Sequence, residues 1–514
     1  MTVAARTQTL PEALLDVDAY PHRVDNVELR ETHISWVFLA GDKAYKVKKP
    51  VRFPFLDYGT PARRHEACRA EVELNRRFSA TTYRGVVALV KRPHGGLAIA
   101  PEHVADAVDY AVVMGRYDES ATLAAHLRRG ALGTADMVAV GAAVAGFHAA
   151  APVKPSTGLE PVVDETLETL ADAGAPEDRL APLARFCRAA LAAFRAELAA
   201  RAEAGRVRDG HGDLRAEHIL LGERVQAVDG LEFDPELRIA DVGYDLAFLV
   251  MDIARADDDL ARALVRAYRA ADGDPGPDPL LHFFCVVRAL VRAKVDLLRA
   301  AQLEGAAAQQ RVARASELLG LAERFAWRTR LPRLVCVTGL AASGKSTIAE
   351  ALAAVAGRQV LSSDRVRKLR AGVDPYEHAP PSAYADAESR AVYEELARRA
   401  EAAIRRDGGV IVDATFRRRS DVDAFLAASP AASEAGWLVC EAPLEVRLGR
   451  AAARAGRGSI SDAGPAIVAS EDHRRPVEPP APPLARLDTT RPVADLLDTL
   501  AAELDGRLTP RGGQ

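Results

Sequence analysis

Lysine is scarce in this sequence, with nine among 514 residues against 68 lysines and arginines together. Where nearly every cation is arginine, a retained lysine marks a place where a compact point charge does what a planar guanidinium cannot. Cysteine is also sparse. Cys68, Cys187, Cys285, Cys336 and Cys440 are odd in number, widely spaced and mostly set in apolar runs, which excludes a disulfide framework and a zinc site. Buried thiols in a reducing cytosol are the expectation. No uncharged apolar stretch reaches the roughly 18 residues that cross a membrane. The opening MTVAARTQTLPEALL lacks the apolar core of a secretory leader, so a cytoplasmic protein with no membrane partner is expected. A large excess of one charge is missing too. The net charge of −4 excludes a protein that coats nucleic acid indiscriminately.

What is present is a globular composition, 49% apolar and 27% charged, in a chain too long for one core. The first hundred residues read as strand-rich, with strands over 36–40, 44–47 and 85–90 and a helix over 63–78. Helical, alanine-rich sequence runs from Leu123 to about Ala204. Ile219-Leu220-Leu221, a turn at Gly222-Glu223 and Val225 to Val228 predict a β-hairpin. Helices resume from Asp245 to about Trp327. From Leu334 strands alternate with helices: 334–338, 359–361, 410–412, 437–440 and 484–487. That alternation predicts a parallel sheet covered on both faces. The expected division is residues 1–330 and 331–514, of α+β and α/β class.

Gly339 to Ser346 spells GLAASGKS, matching G-x-x-x-x-G-K-[ST] between an apolar strand and an alanine-rich helix. In such a loop the backbone N–H groups of Gly339, Leu340, Ala341, Ala342, Ser343 and Gly344 cradle phosphates. Lys345 bridges the β- and γ-phosphates, Ser346 offers a hydroxyl to Mg²⁺, and Thr347 opens a helix whose positive end faces the anion. At strand ends nearby stand Asp364, which reads as a catalytic base or a helix cap, and Asp413, in the position that holds Mg²⁺. A helix over 445–458 carries Arg447, Arg450 and Arg454 along one face and ends in Ala455-Gly456-Arg457-Gly458, a candidate hinge.

The run GLAASGKST, then SSDRVRK, then DATF, then the arginine-bearing helix resembles the small P-loop kinases related to gluconate kinase and polynucleotide kinase. The resemblance implies ATP and Mg²⁺ as cofactors, Asp364 as the group that takes the acceptor's proton, and the three arginines as stabilisers of the moving phosphoryl.

A second pattern lies upstream. His211-Gly212-Asp213-Leu214 precedes the hairpin and Asp229 follows it. Tight antiparallel pairing brings Asp213, His218 and Asp229 to one end. This resembles the aminoglycoside phosphotransferase superfamily, which has a two-lobed protein-kinase-like fold. The resemblance implies Asp213 as catalytic base, Asp229 as Mg²⁺ ligand, and Lys46 holding ATP phosphates with Glu71 as its partner, or Glu73. It also implies Met114 at the hinge that carries adenine, and Asp245 bracing the catalytic loop. His218 departs from the family's asparagine at a metal position, and imidazole suits Mg²⁺ poorly. One well-held ion, help from Glu217, or nucleotide sensing without catalysis each accommodates it. Arg288, Arg292 and Arg299 recur helically and would suit an anionic acceptor if they faced the cleft, and Asp257-Asp258-Asp259 would suit a polycationic one, but both read first as solvated surface faces.

The resulting expectation is an ATP-dependent phosphotransferase with two ATP sites acting on hydroxyls of small molecules. The alternative makes the N-terminal domain a nucleotide-sensing pseudokinase that regulates the C-terminal small-molecule or polynucleotide 5′-hydroxyl kinase. Nucleic acid as a partner would need a basic groove, and charges beyond Leu331 look balanced.

Overall fold

The computed structural model describes residues 9–53, 56–156, 158–454, 460–470 and 478–508. It divides into two compact units, Met1–Gly158 with Leu198–Gly276, and Leu159–Glu197 with Pro277–Gln514.

The first unit opens with a six-stranded antiparallel sheet. Its spatial order is Val27–Glu31, Ser35–Ala40, Lys43–Lys48, Ala107–Gly115, Tyr83–Lys91 and Leu97–Pro101. Alternation along Lys43–Lys48 decides which side chains meet. Tyr45 and Val47 join Phe38, Ala111 and Leu89 in one core. Ala44 turns to the opposite face, toward Cys68 and Val72 of the helix Pro61–Arg76 and Val228 beyond the hairpin. Lys46 and Lys48, two and four residues on, share that second face. The helix starts where Thr60 accepts from the Arg63 N–H and Pro61 fills a first-turn position that needs no donor.

Helices follow in the same unit. Thr134–Ala150 and Asp258–Ala270 cross closely at Gly141, where a Cβ would stand 2.7 Å from the Tyr268 nitrogen. Val242–Ala254 is apolar almost all round and buried accordingly. The predicted hairpin forms as Ile219–Leu220 against Gln226–Ala227, with a wider turn than expected. Asp257 is an N-cap accepting from the Asp259 and Leu260 N–H groups, so one member of the acidic run has a structural task.

The second unit carries a five-stranded, wholly parallel sheet in the order Gln359–Ser362, Val410–Asp413, Leu334–Thr338, Gly436–Glu441 and Ala485–Asp488. Both faces are covered, and its central strand, Leu334–Thr338, is buried throughout. Val335 and Val337 pack with Ile348, Leu352 and Leu500 on one side. Leu334 and Cys336 pack with Val392, Leu396 and Trp437 on the other.

Residue 331 marks the approach to this sheet, while compactness draws the line elsewhere. Helix Gly305–Arg330 lies within the second unit because Trp327 and Leu331 enter its core and Arg330 Nε reaches Asp505 Oδ1 at 2.7 Å. Arg288 and Arg292, expected on a surface, are buried at 4% and 9% exposure within the same unit. Their helix, Asp278–Ala300, is packed over more of its circumference than the arginine spacing suggested. Among the described residues no helix is long and apolar enough to cross a membrane.

Candidate active sites

In the second unit the strand Leu334–Thr338 runs into the glycine-bearing loop, and helix Lys345–Ala356 leaves it. Gly339, Ala342 and Gly344 take positive φ angles of 146°, 63° and 86°. At Gly339 only glycine fits, because a Cβ would lie 2.3 Å from the Cys440 carbonyl oxygen. Lys345 Nζ donates to the Leu340 carbonyl at 2.9 Å, which folds the ammonium back over the loop. Ser346 Oγ donates to Asp413 Oδ2 at 2.6 Å, so the residues expected to share a cation already touch.

A cavity of about 1190 Å³ opens over the loop, and Ala341, Ala342, Lys345, Ser346, Thr347 and Asp364 are in its wall. Asp364 lies in the first turn of helix Ser363–Ala371, whose N-cap is Ser362, so capping is not its role. Burial pushes its carboxyl above the ordinary range; the charge of Lys345 opposes this and that of Asp413 adds to it.

The three arginines separate. Arg450 and Arg454 line the cavity, whereas Arg447 is buried and outside its lining. Arg450 donates from Nη1 to Thr489 Oγ1 at 3.0 Å and from Nη2 to the Thr489 carbonyl at 2.6 Å. The Thr489 hydroxyl in turn donates to the Ser343 carbonyl at 2.8 Å. The helix after the fourth strand is therefore keyed to the phosphate loop through a threonine that sequence reasoning passed over. The candidate hinge at Ala455 to Gly458 lies outside the described residues.

Arg367, behind Asp364 in the sequence, stands one helical turn beyond it. Its Nη1 donates to the Ala383 carbonyl at 2.6 Å and its guanidinium stacks over Tyr384 at 4.6 Å. Arg367 Nε and Arg454 Nη2, of residues in the cavity wall, and Ser343 Oγ, in the loop itself, are buried without hydrogen-bond partners among the described residues. Unmet donors beside a glycine-rich loop suit an anion-bearing ligand.

In the first unit Lys46 Nζ lies 2.8 Å from Glu71 Oε1 and 2.7 Å from Asp229 Oδ1. Glu71, and not Glu73, is thus the partner. Lys48, fully buried, pairs with Glu71 and Glu232, giving a chain of alternating charges that sequence reasoning did not assemble. The Lys46 ammonium holds the Asp229 carboxyl well below the carboxylate range, against the effect of burial. Burial opposes ionisation of Lys46, and the charges of Asp229 and Glu71 more than offset it.

Asp229 adopts a left-handed φ of 64°, rare for a residue with a Cβ. Its N–H donates to the Tyr83 hydroxyl at 3.0 Å and the next N–H, of Gly230, to Asn75 Oδ1 at 2.8 Å. Asp213 ion-pairs with Arg215 Nε at 2.9 Å. His218 Nδ1 donates to the Asp213 carbonyl at 2.8 Å, which fixes the orientation of the ring. Val228 N–H donates to the His218 carbonyl at 2.9 Å, so the two ends of the hairpin meet as its geometry required. Glu217, a possible metal ligand by sequence, is engaged by Arg215. Met114 is buried near the end of its strand, opposite Ala44.

Asp245 braces the loop below. Its two carboxylate oxygens accept from the His211 and Gly212 N–H groups at 2.8 and 3.0 Å, and His148 lies 3.3 Å away. Asp245→Ala would leave two buried N–H groups unmet, at about 1–3 kcal/mol each. We expect unfolding free energy to fall by about 2–6 kcal/mol on that basis, read by denaturant titration. A change too small to measure there would mean the loop is held elsewhere.

Residues 334–475 match the AAA domain family AAA_33. An uncharacterized protein of Mycobacterium tuberculosis, Rv2004c, is 32% identical over 457 residues, covering 85% of this chain and 88% of its own. Among solved structures, a choline/ethanolamine kinase family protein from Mesorhizobium loti is 18% identical, with a TM-score of 0.36 over 58% of this chain and 92% of its own. A gluconokinase from Sinorhizobium meliloti is 20% identical, with a TM-score of 0.25 over 35% of this chain and 95% of its own.

Proposed function

The chain belongs to the family of the mycobacterial protein Rv2004c, and from that premise we infer that it is an ATP-dependent kinase with two phosphotransfer sites, each acting on a hydroxyl of a small molecule. The observation that carries the C-terminal assignment is the hydrogen bond of Ser346 to Asp413 at 2.6 Å beneath a loop whose residues line the cavity. These oxygens suit Mg²⁺, which prefers hard oxygen ligands. When bound, the ion would neutralise phosphate charge.

The chain's own residues do the rest. The loop N–H groups and Lys345 bind the phosphates. Asp364, whose buried carboxylate is a stronger base than an exposed one, takes the proton of the acceptor hydroxyl. Arg450 and Arg454 place positive charge over the transferring group. In the N-terminal site Lys46, held by Glu71, receives phosphates, Asp213 accepts the proton, and Asp229 is the metal-holding carboxylate. His218 fits magnesium less well than an oxygen ligand would, and this favours the second reading, in which the N-terminal site binds nucleotide without turnover. A cytoplasmic setting belongs to the proposal and is supported by five cysteines buried as thiols.

Calorimetry of the full chain with Mg·ATP tests this. Two binding events are expected, one removed by Lys345→Ala and the other by Lys46→Ala. A single event indifferent to Lys46→Ala would withdraw the N-terminal site from the proposal.

A further inference from the structure

One carboxylate gathers the far wall of the C-terminal cavity. Asp462 Oδ1 lies 2.9 Å from Lys368 Nζ and 3.3 Å from His378 Nδ1. Its Oδ2 accepts from the Tyr384 hydroxyl at 2.6 Å and from the Ala379 N–H at 3.0 Å. Lys368 is buried at 1% exposure, and its Nζ also donates to the Pro375 carbonyl at 3.0 Å. An ammonium so deep needs a carboxylate, so the bond to Asp462 strongly favours keeping residues 460–464 in place.

The register of that attachment matters. Lys368 stands one turn beyond Asp364 on helix Ser363–Ala371, so both lie on one face. Asp462 takes Lys368, and its neighbour Ser461 lines the same cavity as Asp364. The Ser461 hydroxyl is hydrogen-bonded to the Asp364 carboxylate. Both residues line the cavity with Lys345 and Ser346. A hydroxyl on the base, inside the cavity that holds the phosphate loop, occupies the place of an acceptor.

We propose that Ser461 is an internal acceptor, autophosphorylated at its Oγ by the C-terminal site, with Asp462 as the residue that positions it. The step rests on the kinase reading above and balances without any further reagent. The Ser461 Oγ–P bond forms, the bond from the γ-phosphorus of ATP to its bridging oxygen breaks, ADP leaves, and the hydroxyl proton passes to Asp364. The product brings a charge of roughly −2 beside Asp364 and Asp462.

The test uses the full chain, treated with phosphatase and then incubated with Mg·ATP. Tryptic residues 458–474 carry Ser459, Ser461 and Ser470, which fragmentation mass spectrometry tells apart. Phosphate is expected on Ser461, at a first-order rate independent of protein concentration. It should be absent from Ser461→Ala and Lys345→Ala, and form at least about 10²-fold more slowly in the isosteric Asp364→Asn. Tyr384→Phe, which removes one bond to Asp462 and strands no buried charge, should slow it severalfold. Phosphate on another serine, none at all, or persistence in Lys345→Ala would overturn the proposal. Calorimetry separates the two possible failures. If Mg·ATP binding depends on Lys345 but Ser461 stays unmodified, only this inference falls; if binding ignores Lys345, the kinase reading of the site falls with it.

Discussion

Lys345→Ala should lower phosphoryl transfer at the C-terminal site by roughly 10²–10³-fold, the usual loss when a positioned charge-stabilising donor is removed. The lysine is buried to 9% exposure and donates to the Leu340 carbonyl, so its ammonium is already placed over the loop before any nucleotide arrives. Alanine removes that charge and one hydrogen bond to a backbone carbonyl, and Asp364 loses the neighbouring cation that opposes the effect of its burial. Chemistry should suffer far more than stability. Lys345→Arg should not rescue, because a planar guanidinium cannot occupy the space of a compact ammonium in a loop this tight. Single-turnover measurement with labelled ATP, in a chain whose N-terminal base is also removed, reads the effect directly. Transfer within twofold of wild type would mean that the loop cradles something other than the reacting triphosphate.

That loop was legible in the sequence because its chemistry is contiguous: eight residues, a strand before and a helix after. Asp413 was legible for a related reason, since a carboxylate ending an apolar run lies at the edge of a parallel sheet. The hairpin likewise placed Asp213, His218 and Asp229 by short-range geometry alone. Asp462 escaped because its bonds reach Tyr384 and Ala379 across 78 and 83 positions, and nothing local predicts which loop a surface-looking aspartate will join. Lys48 could have been found. It stands two residues after Lys46 in a strand, so alternation sends both lysines to the face of the helix bearing Glu71. Arg447, Arg450 and Arg454 show the limit of periodicity. Their spacing put them on one helical face, but only packing decides which part of that face meets a cavity, and Arg447 lies outside it. Arg288 and Arg292 fail similarly, because charge alone was read as exposure when paired cations can be buried.

Asp213→Asn should abolish turnover at the N-terminal site, with a loss of roughly 10²–10⁴-fold, the range for removing a general base. Asparagine keeps the shape of the side chain and its packing but cannot accept a proton. Arg215, buried beside it, retains Glu217, so no isolated charge is created and the thermal midpoint should hold. The measurement belongs in a Lys345→Ala background, where the C-terminal site is silent and residual ADP release reports the N-terminal site alone. The result also decides what the histidine at 218 means. Its Nδ1 is committed to the Asp213 carbonyl, so the imidazole fixes the backbone of the base whatever it does for a metal. If Asp213→Asn removes measurable turnover, that positioning serves catalysis and the departure from asparagine is tolerated. If the background protein binds Mg·ATP but releases no ADP even with Asp213 present, the buried chain Lys46–Glu71–Lys48–Glu232 is the frame of a sensor. Nucleotide phosphates would then act by competing with Asp229 for Lys46, and the signal would be the freed aspartate rather than a transferred phosphate.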